Sequence, residues 1–200
     1  MNGDLYITGD AGADTLLNTD GTALLLGMLL DQQVPMAWAF AGPATLRARL
    51  GHLDAAAIAA LDVEEFVGVC CAKPAIHRFP ASMGRRIHEV CTVLAADYDG
   101  RGENVWVDVN SGTELLKRVR ALPGYGDEKA AIFVALLGKR MGVTPRGWRQ
   151  QAGAFGDSQP RSVADITDVA SLEKVRAWKK ATKAAKRDKQ GRALTERSAG

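Results

Sequence analysis

Cysteine and histidine are both scarce in these 200 residues, with three of each. Three cysteines are an odd set for a disulfide framework and one short of a four-thiolate metal or iron–sulfur site. Cys70 and Cys71 are adjacent, which suits core packing. His52, His77 and His88 share no metal-ligand spacing with one another or with a cysteine, so no zinc is expected. Long apolar runs are missing as well. The longest, Ala23 to Leu30, is interrupted by Gly27 and falls short of the roughly 20 residues of a membrane span. Ahead of it stand Asp4, Asp10, Asp14 and Asp20 with no lysine or arginine, the wrong sign for a secretory signal. These absences lead to the expectation of a reduced, cytoplasmic protein with no membrane partner.

What is present fits one globular domain, with 46% hydrophobic and 24% charged residues. The net charge of +3 conceals a partition. Residues 172–200 carry ten Lys and Arg against Glu173, Asp188 and Glu196, a local +7 that leaves residues 1–171 at −4. A basic end on a mildly acidic body suits a polyanion partner, or a simply solvated tail. With an acidic body, affinity for nucleic acid is expected to come from placed backbone groups and a few cations, not from a broad positive face.

The patterning is helical almost throughout. Leu5-Tyr6-Ile7 is the one strand-like run. Asp20 and Thr22 open a helix expected over 22–33, and Pro35 and Gly42-Pro43 divide the next stretch into short helices near 35–41 and 43–50. Asp54 and Asp62 cap two more, the second with Glu65 in capping-box position. Residues 80–98 place Met83, Ile87, Val90, Cys91 and Leu94 on one stripe. Ser111 with Glu114 opens a helix to Ala121, and another is expected over 127–140. Residues 145–161 are turn-rich, 162–178 close the domain with Trp178 as last anchor, and 179–200 read as frayed. With no second strand to pair, the fold class is all-α.

One turn carries chemical information. Between the helices at 111–121 and 127–140 stands Leu122-Pro123-Gly124-Tyr125-Gly126. Proline starts the turn, and the glycines allow positive φ with no Cβ to hinder an approaching strand. The next helix then offers unpaired N–H groups and a partial positive charge to a phosphate oxygen, with Lys129 in its first turn. Such contacts hold a DNA backbone without reading its bases. A tight helix–helix connection with glycine C-caps would read the same way.

This L-P-G-hydrophobic-G turn, followed by Lys129-Ala130-Ala131, resembles the helix–hairpin–helix of the HhH-GPD superfamily of base-excision DNA glycosylases. Endonuclease III and the alkyladenine enzymes are members. The resemblance covers roughly residues 20–150. Leu24 to Gln33, followed by Val34 and Trp38, is similar to the helix that supplies the DNA-plugging residue, and Phe66 to Tyr98 to the segment before the hairpin. It implies a two-lobed, helix–hairpin–helix glycosylase-like domain over 1–170, with its hairpin at 111–140. Residues 171–200 would be a basic, partly disordered helix or tail. It also implies a monomer that binds duplex DNA and extrudes a damaged base.

The residues implied in DNA binding are Leu122, Gly124, Tyr125, Gly126, Lys129, Ala130, Gln32, Gln33 and Arg146. Trp38 and Trp148 are further candidates for stacking on a flipped base, or for the core. Where the superfamily carries its aspartate, this chain has Arg146 and Gly147, and no acid occurs between Glu128 and Asp157. Those two are the candidate catalytic carboxylates; a turn aspartate and a helix-start acid are the plainer readings of each. Bifunctional members place a nucleophilic lysine where Glu128 stands. Lys129 is one residue on, turned about 100° around the helix. Any enzyme here would therefore be a monofunctional N-glycosylase. A monovalent cation at the Leu122 and Gly124 carbonyls is implied too; an iron–sulfur cluster and any other cofactor are not. The missing aspartate leaves a non-catalytic lesion binder open, and a helical adaptor is the third reading.

Overall fold

The computed structural model describes residues 3–185, and every regular element among them is helical. The chain runs α1 (Ala11–Thr19), α2 (Gly21–Leu30), α3 (Met36–Leu50), α4 (Ala55–Ala59) and α5 (Val63–Cys71). It continues through α6 (Pro80–Asp97), α7 (Gly112–Ala121), α8 (Asp127–Arg140), α9 (Trp148–Ala152) and α10 (Val169–Ala184). Three single 3-10 turns lie at Gly102–Val105, Gly153–Gly156 and Val163–Asp165. Of the frayed end expected over 179–200, residues 179–184 continue α10 and residues 186–200 lie outside the described residues.

Helix α2 is the axis of the core. All ten of its residues are buried, as its all-round apolar sequence demands. Asp20 starts it, its carboxylate accepting the Ala23 N–H at 2.9 Å, and also ends α1 through its own N–H to Leu16. Helices α1, α3 and α6 pack around α2 in one continuous apolar cluster. Two glycines let α3 come close. A Cβ on Gly27 would stand 2.8 Å from Phe40, and one on Gly42 would stand 2.5 Å from Leu30.

That packing corrects the expected break at Gly42-Pro43. Helix α3 runs unbroken through Pro43, which is buried within it. One ladder bond is lost because proline has no N–H, but contact along α2 holds the helix together. The Leu5–Ile7 run finds no strand partner. Instead the Asn18 amide bonds both the N–H and the carbonyl of Leu5, and the Asp14 carboxylate accepts from Ile7 and Thr8. Two α1 side chains thus stand in for a neighbouring strand. The closing helix also outlasts the expected anchor at Trp178, with Lys179 Nζ reaching Met36 Sδ at 3.1 Å.

Candidate functional site

Helix α2 stops at Leu30, three residues before the expected end. Gln32 N–H turns back to the Leu30 carbonyl at 2.7 Å, and Gln33 takes a left-handed φ of 57° on the way to Pro35. Gln32 and Gln33 therefore form a turn and not a helical end. Gln32 is held by its side-chain amide on Leu29 O and by His77, whose Nε2 lies 3.0 Å from Gln32 O. The Phe79 N–H donates to His77 Nδ1, so Nε2 carries the proton and donates to Gln32. One buried imidazole thus fastens the 32–33 turn to the start of α6.

The hairpin packs on the other side of this turn. The Leu122 carbonyl accepts the Tyr125 N–H at 3.1 Å and Gly124 has φ of 81°. A Cβ at Gly124 would stand 2.6 Å from Leu29 and 2.7 Å from Arg86, whereas one at Gly126 would meet nothing within 4 Å. The side chains of Leu122, Tyr125 and Ala130 are core. Only their backbone groups can face a ligand. Burial drives the Tyr125 phenol pKa well above its usual value, and the hydroxyl donates to Leu25 O at 2.6 Å. Lys129 spends two N–H groups on the last carbonyls of α2, Met28 O at 2.8 Å and Leu29 O at 2.7 Å. It is a C-cap for a buried helix, set where the helix dipole favours a cation. A cation held by Leu122 would share that carbonyl with the Tyr125 bond, since each carbonyl has two lone pairs.

A cavity of about 490 Å³ opens between these parts, lined by Asp31, Gln32, Gln33, Gly124, Gly126 and Glu128 among others. Of the described helices of nine residues or more, all but α3, α6 and α8 carry a side-chain N-cap from Asp10, Asp20, Asp62, Ser111 or Asp168. Of the three without one, only α8 opens in this cavity's lining. Helix α3 starts three residues past Gln33 and α6 three residues past the His77 that holds Gln32. The first N–H groups of α8 have no side-chain cap. Asp127, the first residue of α8, is offset by Arg120 at 2.6 Å. Glu128 and Asp31 are the other carboxylates in the lining.

Asp157 and Arg146 lie elsewhere, which revises their grouping with the hairpin. Lys139, in the last turn of α8, bonds Asp157 O and Asp165. That is eleven residues from Glu128, or about 16 Å along the helix. Asp157 is engaged by Arg161 at 2.9 Å and by the Gln159 N–H. Burial works to raise its pKa, but these bonds and the Arg161 and Lys139 charges hold it below the usual carboxylate value. A carboxylate so held is a poor base. Arg146 accepts the Gly112 N–H through its carbonyl at the start of α7, about 15 Å down that helix from the hairpin turn. Loop composition could not show this; the antiparallel α7–α8 pair sets it.

Trp148 is core under Arg149, whereas Trp38 is 41% exposed. Asp31, Arg86 and His77 also belong to this region, and no spacing rule in the sequence marks them. No family model, no curated protein and no solved structure matches this chain.

Proposed function

We propose that the chain is a duplex-DNA-binding protein of the HhH-GPD type. In this reading it seats a phosphate on the Gly124–Gly126 turn and turns a base toward the Glu128 cavity. The observation that supports this best is the shared lining. Two glutamines of suitable size to fill a vacated base position line the same cavity as the hairpin turn and a carboxylate. The uncapped start of α8 in that lining offers N–H groups suited to a backbone anion.

For catalysis, Glu128 is the better-placed of the two carboxylates. The base leaves C1′ with the bonding electron pair and takes a proton from solvent, while Glu128 removes a proton from the attacking water as its oxygen bonds C1′ and then returns that proton to solvent. One water is consumed, and a free base and an abasic sugar result. Lys129, tied to the end of α2, has no part as an amine nucleophile. Cleavage of the strand is not expected.

The second reading is a lesion binder without catalysis. Arg146 and Gly147 in place of the superfamily aspartate favour it, as does the engagement of Asp157 by Arg161. One experiment separates the readings. Duplexes bearing uracil, hypoxanthine, alkylated or oxidised bases are incubated with the full chain and treated with alkali. Strand breaks lost in Glu128→Gln support the glycosylase. Tight, salt-sensitive binding without breaks supports the binder. Binding that survives Gly126→Arg would refute the hairpin reading altogether.

A further inference from the structure

Two stretches of the body, residues 32–53 and 66–88, contain no aspartate or glutamate. They carry Arg47, Arg49, Lys73, Arg78, Arg85 and Arg86. The fold lays them side by side. Arg49 donates to Val69 O at 2.7 Å, Trp38 Nε1 reaches Ala75 O at 3.3 Å, and His77 holds Gln32. Among these cations only Arg85 makes an ion pair with a described carboxylate, Glu64 at 2.8 Å. Helix α10 adds a third acid-free run, because no acid follows Glu173 within the described residues. Its Lys179 lies on Met36, two residues from Trp38. An acidic body thus has one face rich in cations, where Glu64 pairs with Arg85, and the basic helix leads onto it.

Exposed aromatic rings stand on this face. Trp38 is 41% and Phe79 44% exposed, the two most accessible aromatic side chains among the described residues. Neither is loosely held. Their ring centres lie 6.4 and 6.0 Å from that of the buried His77, and the indole N–H is tied to Ala75 O. The Arg78 guanidinium sits 5.3 Å over the Phe79 ring. Rigid, flat, solvent-facing rings beside Lys73 and Arg78 match the chemistry of unstacked bases on a phosphate chain. A lipid surface would call for a helix laying an apolar face outward, whereas α10 buries its apolar Leu172 and Val175 against the body.

We infer that this face binds single-stranded nucleic acid, with bases stacking on Trp38 and Phe79 and phosphates meeting Lys73 and Arg78. The inference stands apart from the duplex reading, which uses the hairpin turn.

The test is a titration of the full chain with an oligothymidylate of about 16 nucleotides, followed by tryptophan quenching and anisotropy. Binding is expected to fall about tenfold for Trp38→Ala and again for Phe79→Ala, and to survive in Trp38→Phe. Lys73→Gln with Arg78→Gln is expected to flatten the salt dependence. Melting curves for each variant separate loss of binding from loss of fold. Equal affinity for an abasic strand or heparin would overturn the inference, leaving a simple polyanion face. So would unchanged binding in Trp38→Ala and Phe79→Ala, or a dimer by size exclusion that Trp38→Ala dissolves. Gly126→Arg is expected to spare this binding while abolishing duplex binding, so each reading fails on its own evidence.

Discussion

The Tyr125 hydroxyl donates to the Leu25 carbonyl at 2.6 Å across a fully buried contact. This bond fastens the hairpin turn to the middle of α2, and the ring packs edge-on against Phe133 at 5.7 Å. Tyr125→Phe keeps the ring and removes only the donor. It is expected to lower stability by about 1 kcal/mol, seen as a lower urea midpoint with an unchanged slope.

Gly124 and Gly126 are chemically alike and structurally opposite. Gly124→Ala forces a side chain into positive φ and against Leu29 and Arg86, and is expected to cost about 1–3 kcal/mol. Gly126 has φ of −69° and open space around it. Gly126→Ala is expected to fall within about 1 kcal/mol of the parent. Thermal melts of the two variants check the contrast, and they also show why arginine at 126 is the cleaner probe of phosphate binding.

Lys139 and Asp165 meet at 2.6 Å with side chains only 11% and 9% exposed. The same carboxylate accepts the Arg161 and Ser162 N–H groups. Lys139→Met would strand a buried charge and is expected to cost about 3 kcal/mol. Lys139→Met with Asp165→Asn is expected to recover part of that loss. A double-mutant cycle by chemical denaturation measures the coupling.

Burial pushes the thiols of Cys70 and Cys91 up from 9.0 to about 12. In the folded chain they stay neutral up to that value, while in the unfolded chain they ionise near 9. The unfolded state therefore binds fewer protons between these limits, and stability is expected to fall as pH rises above about 9. Denaturation midpoints from pH 8 to 10.5 test this. Cys70→Ala with Cys91→Ala is expected to shrink the slope, leaving the part that the buried Tyr125 phenol contributes near pH 10 and above. A thiol reagent at pH 8 is expected to label both only after unfolding.

Much of the local structure was legible in the chain. Helices α7 and α8 and the turn between them follow from Ser111, Pro123 and the two glycines, whose signals act over a few residues. Asp20, Asp54 and Asp62 marked helix starts for the same reason: a cap bonds N–H groups two or three positions away. Signals that depended on distant partners misled. Pro43 looked like a break because its neighbour α2 was unseen. The Leu5–Ile7 run looked like a strand because its partners, Asp14 and Asn18, are side chains on a helix. Asp157 looked available as a base until Arg161 and Lys139 were placed around it.

The charge pattern shows the division most clearly. Sequence alone determined that the body is acidic, that the end is basic, and where the helices opened by Asp20, Asp54, Asp62 and Ser111 are capped, because charge and capping are local properties. It could not determine that the acid-free runs 32–53 and 66–88 share a face, since their contact depends on Arg49, Trp38 and His77 bridging 20 to 45 residues. Tertiary packing decided that, and with it the meeting of Gln32 and Gln33 with Glu128. It also decided the separation of Glu128 from Asp157 along α8. A net charge sums over the whole chain, but a ligand meets only the groups that folding brings to one surface.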